Sequence, residues 1–226
     1  MQEREQVLLV QSQKEFAYEQ IKNMIFHMEL LPGARISELQ IAKKLSISRT
    51  PVHDALRYLE AEGLVTIEAN RGASVKSFCE EEVQEIGVVR LSLDILSIQL
   101  AAYYGSAADF DHLNALADIC EAIAAKGDIY GRIQTDCDFH LAITKISNNS
   151  LLFRQQHALY QQIHLIQISK YTDIAHSLLQ IHHHKPIVAA IRTGNIEEAT
   201  ALLCQHYKNF HQINPYVLKC NGYTSE

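Results

Sequence analysis

The chain has 226 residues, with 20 Lys and Arg against 26 Asp and Glu, for a formal net charge of −6. This length allows one large domain or two modest ones, at roughly 100–200 residues each. With 47% hydrophobic and 20% charged residues, the composition is that of a globular protein and excludes a disordered chain.

The longest apolar run, Ile86 to Ala108, contains Arg90 and Asp94. A membrane span needs about 20 mainly apolar residues with few or no charges, so no spanning helix and no membrane partner are expected. The opening residues, Met-Gln-Glu-Arg-Glu-Gln, lack the basic-then-apolar plan of a signal peptide. The five cysteines (79, 120, 137, 204, 220) are odd in number and form no Cys-x-x-Cys pair. A reduced, cytoplasmic protein is expected, with cysteines as plain core or surface residues.

Charge is uneven along the chain. Residues 1–76 hold ten basic and ten acidic side chains, and residues 77–226 hold ten and sixteen. Between Arg35 and Arg57 five basic residues face two acidic ones, so this window permits nucleic-acid binding although the whole chain is acidic.

Lys14–Met28 reads as a helix with Ile21, Met24, Ile25 and Met28 on one face, stopped by Leu31-Pro32-Gly33. Ser37-Glu-Leu-Gln40 has capping-box spacing and opens a short helix to Leu45. After a tight connection, Thr50 reads as N-cap and Pro51 as first helical residue of a helix to Glu62, with Gly63 beyond its end. Leu64–Ile67 and Ala73–Lys76 are β-prone around Asn70-Arg71-Gly72, a hairpin signal. Helix, helix, turn, helix and a small hairpin is the plan of a winged helix-turn-helix, spanning residues 10–78.

Residues 79–220 show helical stripes at Val83–Tyr104, Asp109–Lys126, Ile129–Ser147, Leu151–Tyr171, Ile174–Thr193 and Ile196–Lys219. A mainly α protein follows, its second domain an antiparallel bundle of about six helices. Tyr103 and Tyr104 are expected to pack inside it.

In a helix-turn-helix the second helix enters the major groove. Here it begins at Ser48-Arg49-Thr50-Pro51. Arg49 at its mouth suits a bidentate pair with guanine or a phosphate contact, and Ser48 and Thr50 offer hydroxyls. Arg57, two turns on, suits the backbone, and Arg71-Gly72 at the hairpin tip suits the minor groove. By spacing alone, capping hydroxyls and a solvated Arg49 explain the pattern equally well.

Leu31-Pro-Gly33, Leu39-x-x-Ala42-x-x-Leu45, Ser48-Arg-Thr-Pro-Val52, Ala55-Leu56-x-x-Leu59 and Glu62-Gly-Leu64 together resemble the GntR family of bacterial transcription regulators. The resemblance implies operator DNA as partner, a homodimer, and a DNA-contacting set of Arg35, Ser48, Arg49, Thr50, His53, Arg57, Arg71 and Gly72. There is one departure: the family usually carries Arg-Glu after Pro-Val, where this chain has His53-Asp54. That arginine is a frequent DNA contact, so a shifted operator sequence or affinity is expected.

Asp136 and His140 share a helix face flanked by Ile129, Ile133, Phe139 and Ile143. His184 lies on a stripe with Ile181, Ile187, Val188 and Ile191, and His206 with Ala199, Leu202, Leu203 and Phe210. Three inward histidines and one aspartate from three helices suit a first-row divalent metal such as Zn²⁺, Ni²⁺, Mn²⁺ or Fe²⁺. A satisfied polar cluster in the core accounts for the same stripes. His157, His164 and His176 lack a ligand pattern.

Asp136-x-x-Phe-His140, Asn149, His184-x-x-Ile-Val-x-Ala-Ile-x-x-Gly194 and Ala199 followed by His206 resemble the all-helical FCD ligand-binding domain of FadR-type members of that family. The resemblance implies metal ligation by Asp136, His140, His184 and His206. It also implies effector contacts from Arg90, which with Asp94 matches an Arg-x-x-x-Glu motif, and from Asn149. By spacing alone Arg90 and Asp94 are also a surface ion pair worth about 0.3–0.5 kcal/mol, and Asn149 is also a helix-initiating residue. The function expected is a metabolite-responsive regulator, a repressor by family habit, whose effector is a small organic acid held at the metal. A metalloenzyme, or a regulator with a purely structural metal, is the alternative.

Overall fold

The computed structural model describes residues 2–170 and 182–211, with side chains described for 13–170 and 182–207. The chain divides into two compact units, residues 1–77 and 78–226.

In the first unit, α1 (Gln2–Phe26) begins well before the expected Lys14. It packs on α3 (Arg49–Ala61). Ile21, Ile25, Val52, Ala55, Leu56, Leu59 and Leu64 form the fully buried core. Between them α2 (Glu38–Leu45) starts at Ser37, whose hydroxyl accepts the Gln40 N–H at 3.4 Å. Ser46 closes α2 in the left-handed conformation, φ 57°, which turns the chain sharply toward α3.

The start of α3 differs from the expectation. Ser48, not Thr50, occupies the N-cap position and its side chain makes no capping bond. Pro51 therefore sits in the first turn rather than at its opening residue. It is tolerated there because first-turn N–H groups have no intrahelical acceptor. Gly63 follows α3 with φ 75°, the left-handed position that ends many helices.

The wing is a three-stranded antiparallel sheet in the order β1-β3-β2, with β1 Arg35–Ile36, β2 Val65–Glu68 and β3 Gly72–Val75. Glu68 pairs with Gly72 across the tip, and Arg35 pairs with Ser74. The sequence reading anticipated β2 and β3; β1, two residues long, carries no periodicity to read.

The second unit holds six helices among the described residues: α4 (Glu80–Tyr104), α5 (Ala107–Ala125), α6 (Ile129–Ile146), α7 (Ser150–Lys170), α8 (His184–Arg192) and α9 (Ile196–His211). The expected helices Ile174–Thr193 and Ile196–Lys219 fall partly outside the described residues, as do His176 and Cys220. His182 and His183 form a turn before α8. Cys79 caps α4 and is exposed, while Cys120, Cys137 and Cys204 are buried free thiols. Leu91, Ile95, Ile98, Phe110, Leu113, Phe139, Ile143, Ile187, Val188, Ile191 and Leu203 belong to one core cluster.

By length and composition α4 does qualify as a spanning helix, with 25 residues and a window of mean hydropathy 1.4. Its packing is that of a bundle core helix: it contacts α6, α7, α8 and α9, and Arg90 and Asp94 point into the bundle. Tyr103 and Tyr104 correct another expectation. They are exposed, Tyr103 by 80%, because they fall on the face of α4 turned away from the core.

Candidate functional site

All eight residues of the expected DNA-contacting set are exposed in the first unit. The mouth of α3 is electrostatically organised by one carboxylate on α2. Glu38 accepts from Arg49 Nη2 at 3.2 Å and meets His53 Nδ1 at 2.9 Å. These two contacts, His53 first, hold the Glu38 carboxyl below the usual carboxylate range. At the wing tip Arg71 pairs with Glu68 at 3.1 Å. Exposed pairs of this kind are worth at most about 1 kcal/mol, so a phosphate or guanine edge can displace the carboxylates. His53, where the family pattern departs, is thus a partner of Glu38.

The second unit brings Asp136, His140, His184 and His206 together. Their ligand atoms lie within 4.8 Å of one another and all four side chains are buried. The reason is local: Asp136 and His140 stand one turn apart on α6, and His184 and His206 each occupy the core stripe of α8 and α9. Asp136 Oδ1 lies 3.1 Å from His184 Nε2, 3.6 Å from His206 Nε2 and 3.9 Å from His140 Nε2. His140 Nε2 and His206 Nε2 are 3.2 Å apart. Metal–nitrogen bonds of about 2.1 Å separate adjacent donors by roughly 3.0–3.4 Å, so the cluster is close to the spacing of donors around one ion.

The protonation chemistry fits as well. Burial pushes His140 and His206 down from the usual histidine range, leaving neutral rings with a lone pair. Burial alone would raise Asp136, but hydrogen bonds from His184 and His206 outweigh it and hold the carboxyl well below the usual range. Gln167 Nε2 donates to the other oxygen, Asp136 Oδ2, at 3.3 Å, which orients the carboxylate.

Arg90 and Asp94 are not a surface pair: their exposures are 1% and 3%. They lie beside the cluster in a polar layer that sequence reasoning missed. Arg90 Nε is 3.6 Å from Asp94 Oδ2 and donates to Tyr160 Oη at 3.4 Å, while Nη2 lies 3.9 Å from Asp136 Oδ2. The guanidinium also stacks on the Tyr207 ring, 3.9 Å from its centre. Burial opposes the Arg90 charge, yet the neighbouring tyrosines and the two aspartates raise its pKa further. Tyr160 donates to Asp94 at 2.7 Å, Tyr207 donates to the same oxygen, and Tyr207 Oη is 3.2 Å from His140 Nδ1. A signal for Tyr160 existed: Gln156, Tyr160 and Gln167 recur on the buried stripe of α7.

Asn149 is not among these groups. Its Oδ1 accepts the Leu152 N–H at 3.0 Å, the role of a helix-initiating residue. It lines a surface cleft of about 530 Å³ with Lys145, Asn148, Ser150, Phe153 and Arg154.

A winged helix carried on the same chain as a helical bundle with a buried polar centre defines a ligand-responsive DNA-binding regulator. Residues 13–75 match "Bacterial regulatory proteins, gntR family" and residues 85–209 match the FCD domain. The HTH-type transcriptional regulator YdhC of Bacillus subtilis is 29% identical, covering 85% of this chain and 86% of that protein. The "Probable D-xylose utilization operon transcriptional repressor" of Paenarthrobacter nicotinovorans is 28% identical over 77% of this chain and 76% of its own. Among solved structures, Escherichia coli McbR/YncC aligns with a TM-score of 0.76 at 20% identity, covering 94% of this chain and 99% of that one. A GntR regulator from Rhodococcus sp. RHA1 aligns with a TM-score of 0.79 at 22% identity, covering 92% and 98%. The chain belongs to the GntR family, with an FCD domain as its helical unit. It is a metabolite-responsive, DNA-binding transcription regulator and not an enzyme, which removes the metalloenzyme alternative.

Proposed function

We propose that this regulator is a cytoplasmic homodimeric repressor whose effector is a small organic acid bound at a divalent metal (Zn²⁺, Ni²⁺, Mn²⁺ or Fe²⁺) in the FCD domain. The carrying observation is the convergence of Asp136, His140, His184 and His206 with a buried guanidinium at its edge. When bound, the metal supplies Lewis-acid positions that a carboxylate oxygen can take from water. The chain's own residues do the rest. Asp136 and the three imidazoles would hold the ion; the Arg90 guanidinium, whose Nη2 lies on the Asp136 side, would offer two nitrogens for paired hydrogen bonds to a second carboxylate edge. The surrounding core excludes water and so strengthens both interactions.

Two further observations support the reading. On α4, Ile86, Val89, Leu93, Leu96, Leu100 and Tyr103 recur at alternating three- and four-residue steps on the outer face. Val89 is 49% and Leu96 39% exposed. An apolar seam of that period suits the same helix of a second copy, which supports the homodimer. Repression is supported by the Paenarthrobacter relative's name. Arg35, Ser48, Arg49, Thr50, His53, Arg57, Arg71 and Gly72 are proposed to face the operator, and Asn149, a cap, is left out of the effector site.

Titration calorimetry of C2–C6 hydroxy-, keto- and dicarboxylates into metal-loaded and metal-stripped protein tests this function. One acid should bind the loaded form only. If no acid binds, or if one binds both forms equally, the metal-centred effector site is wrong.

A further inference from the structure

We infer that Tyr207, anchored by Asp94, is a positioning residue for His140: it fixes the proton of that ring on Nδ1 and so turns a bare Nε2 toward the cluster. The inference rests on the metal reading above and assigns a role to two side chains outside the ligand set.

Asp94 Oδ2 accepts from the Tyr160 hydroxyl at 2.7 Å and from the Tyr207 hydroxyl. Burial pushes the Asp94 carboxyl up, and Arg90, whose Nε stands 3.6 Å from the same oxygen, opposes it together with the two hydroxyls; receiving both hydroxyls, Oδ2 acts as the acceptor. Each phenol has one hydrogen; the two phenol oxygens are 3.3 Å apart, but Asp94 Oδ2 is nearer to each and takes both hydrogens. The Tyr207 oxygen can then only accept from the ring nitrogen 3.2 Å away, His140 Nδ1. A neutral imidazole with its hydrogen on Nδ1 has its lone pair on Nε2, and that atom faces His206 Nε2 at 3.2 Å and Asp136 Oδ1 at 3.9 Å.

The ring of Tyr207 is itself clamped, with the Arg90 guanidinium stacked over it at 3.9 Å. Packing alone does not account for the hydroxyl, since a phenylalanine fills nearly the same volume. His184 offers a contrast within the cluster. Among the described residues its Nδ1 has no hydrogen-bond partner, so no such relay serves His184. Groups that orient a ligating histidine commonly govern affinity by about 10–100-fold.

The test compares Tyr207→Phe and Tyr160→Phe in the full-length protein. Tyr160→Phe also removes one hydroxyl from Asp94 but leaves the His140 contact intact. Co²⁺ affinity, read by chelator competition and by the visible spectrum, should fall by about 10–100-fold in Tyr207→Phe and by much less in Tyr160→Phe. Melting temperatures of the two metal-stripped variants should be similar. In metal-stripped wild type, ¹⁵N-histidine NMR should show His140 protonated on Nδ1, and this preference should be lost in Tyr207→Phe. Equal Co²⁺ affinity in wild type and Tyr207→Phe, or an Nε2-protonated His140 in wild type, overturns the inference. If wild type binds no Co²⁺, the metal reading falls as well, and the NMR tautomer still decides whether Tyr207 orients the ring.

Discussion

Glu38 on α2 holds Arg49, at the mouth of the recognition helix, through an exposed 3.2 Å ion pair. If Arg49 faces the operator as proposed, Glu38 stands where a phosphate or a guanine edge would bind. Arg49→Ala should weaken operator binding by ~1–3 kcal/mol if the contact is bidentate to a base, or lower the salt slope by about one if it is to phosphate. Glu38→Gln should do the opposite, tightening binding and steepening the slope, because Arg49 and His53 lose their competitor. Fluorescence anisotropy across a salt series reads both. Unchanged affinity and slope in both folded variants takes this pair out of the interface.

Arg90 is a structural cation as well as a proposed anchor. It is buried against Asp94 and Asp136, and removing one partner of a buried charge set costs ~3–5 kcal/mol. Arg90→Ala should therefore lower the melting temperature sharply even without effector. Arg90→Lys keeps the charge and should lose less stability while still losing acid binding, since an ammonium lacks the two-pronged geometry. Thermal denaturation with parallel calorimetry separates the two effects; an Arg90→Ala protein as stable as wild type contradicts the buried network.

How much of this was legible in the sequence depended on periodicity. Asp136 and His140 are one turn apart and His184 and His206 sit on clean apolar stripes, so their convergence could be anticipated. Arg90 and Asp94 share the same four-residue step, yet an i,i+4 pair reads identically on a solvent face and in a core. Only packing against Tyr160 and Tyr207 decides between them. Tyr207 was hidden beside His206, and its value lies in a contact with α4 and α6 that chain spacing does not encode. Tyr103 is ambiguous for a related reason: apolar residues wrap most of α4, so it reads as a packing residue although the core occupies the opposite face. At Ser48-Arg49-Thr50-Pro51 two hydroxyl residues compete for one N-cap, and the helix starts two residues earlier than the Pro51 preference suggests.

The buried imidazoles set a pH dependence. Burial lowers the His140 and His206 pKa values in the folded state, among Asp136, His184, Arg90, Asp94 and the two tyrosines. Below the ordinary histidine range, near 6.5, the unfolded chain binds protons that the folded unit resists, so stability falls as pH falls. Melting temperature of the metal-stripped protein should decline from about pH 7 toward pH 5. Alanine at both His140 and His206 should flatten this decline. A slope that both replacements leave intact places its origin elsewhere.

A metal held by the proposed ligands would tie α6, α8 and α9 together, and a ligand at a hundredfold excess over its Kd stabilises by ~2.7 kcal/mol. Chelation should lower the melting temperature of wild type and leave that of His206→Ala nearly unchanged. If divalent ions shift neither, the four residues are a polar core cluster.

Leu96 lies mid-seam on the outer face of α4. Leu96→Glu places like charges opposite each other in a symmetric pair and should convert a dimer to monomers in light scattering, weakening operator binding with it. A Leu96→Glu protein that remains dimeric locates the interface on another surface.

Operator binding by metal-loaded protein, with and without the acid proposed to bind at the Asp136/His140/His184/His206 centre, measures directly whether that centre controls DNA affinity. A coupling of ~1–3 kcal/mol corresponds to a change of about 5–150-fold in Kd. The acid should weaken operator binding by this much in metal-loaded wild type, and the effect should disappear in metal-stripped protein and in Asp136→Asn. An operator affinity that responds equally to the acid in all three proteins, or in none, contradicts it.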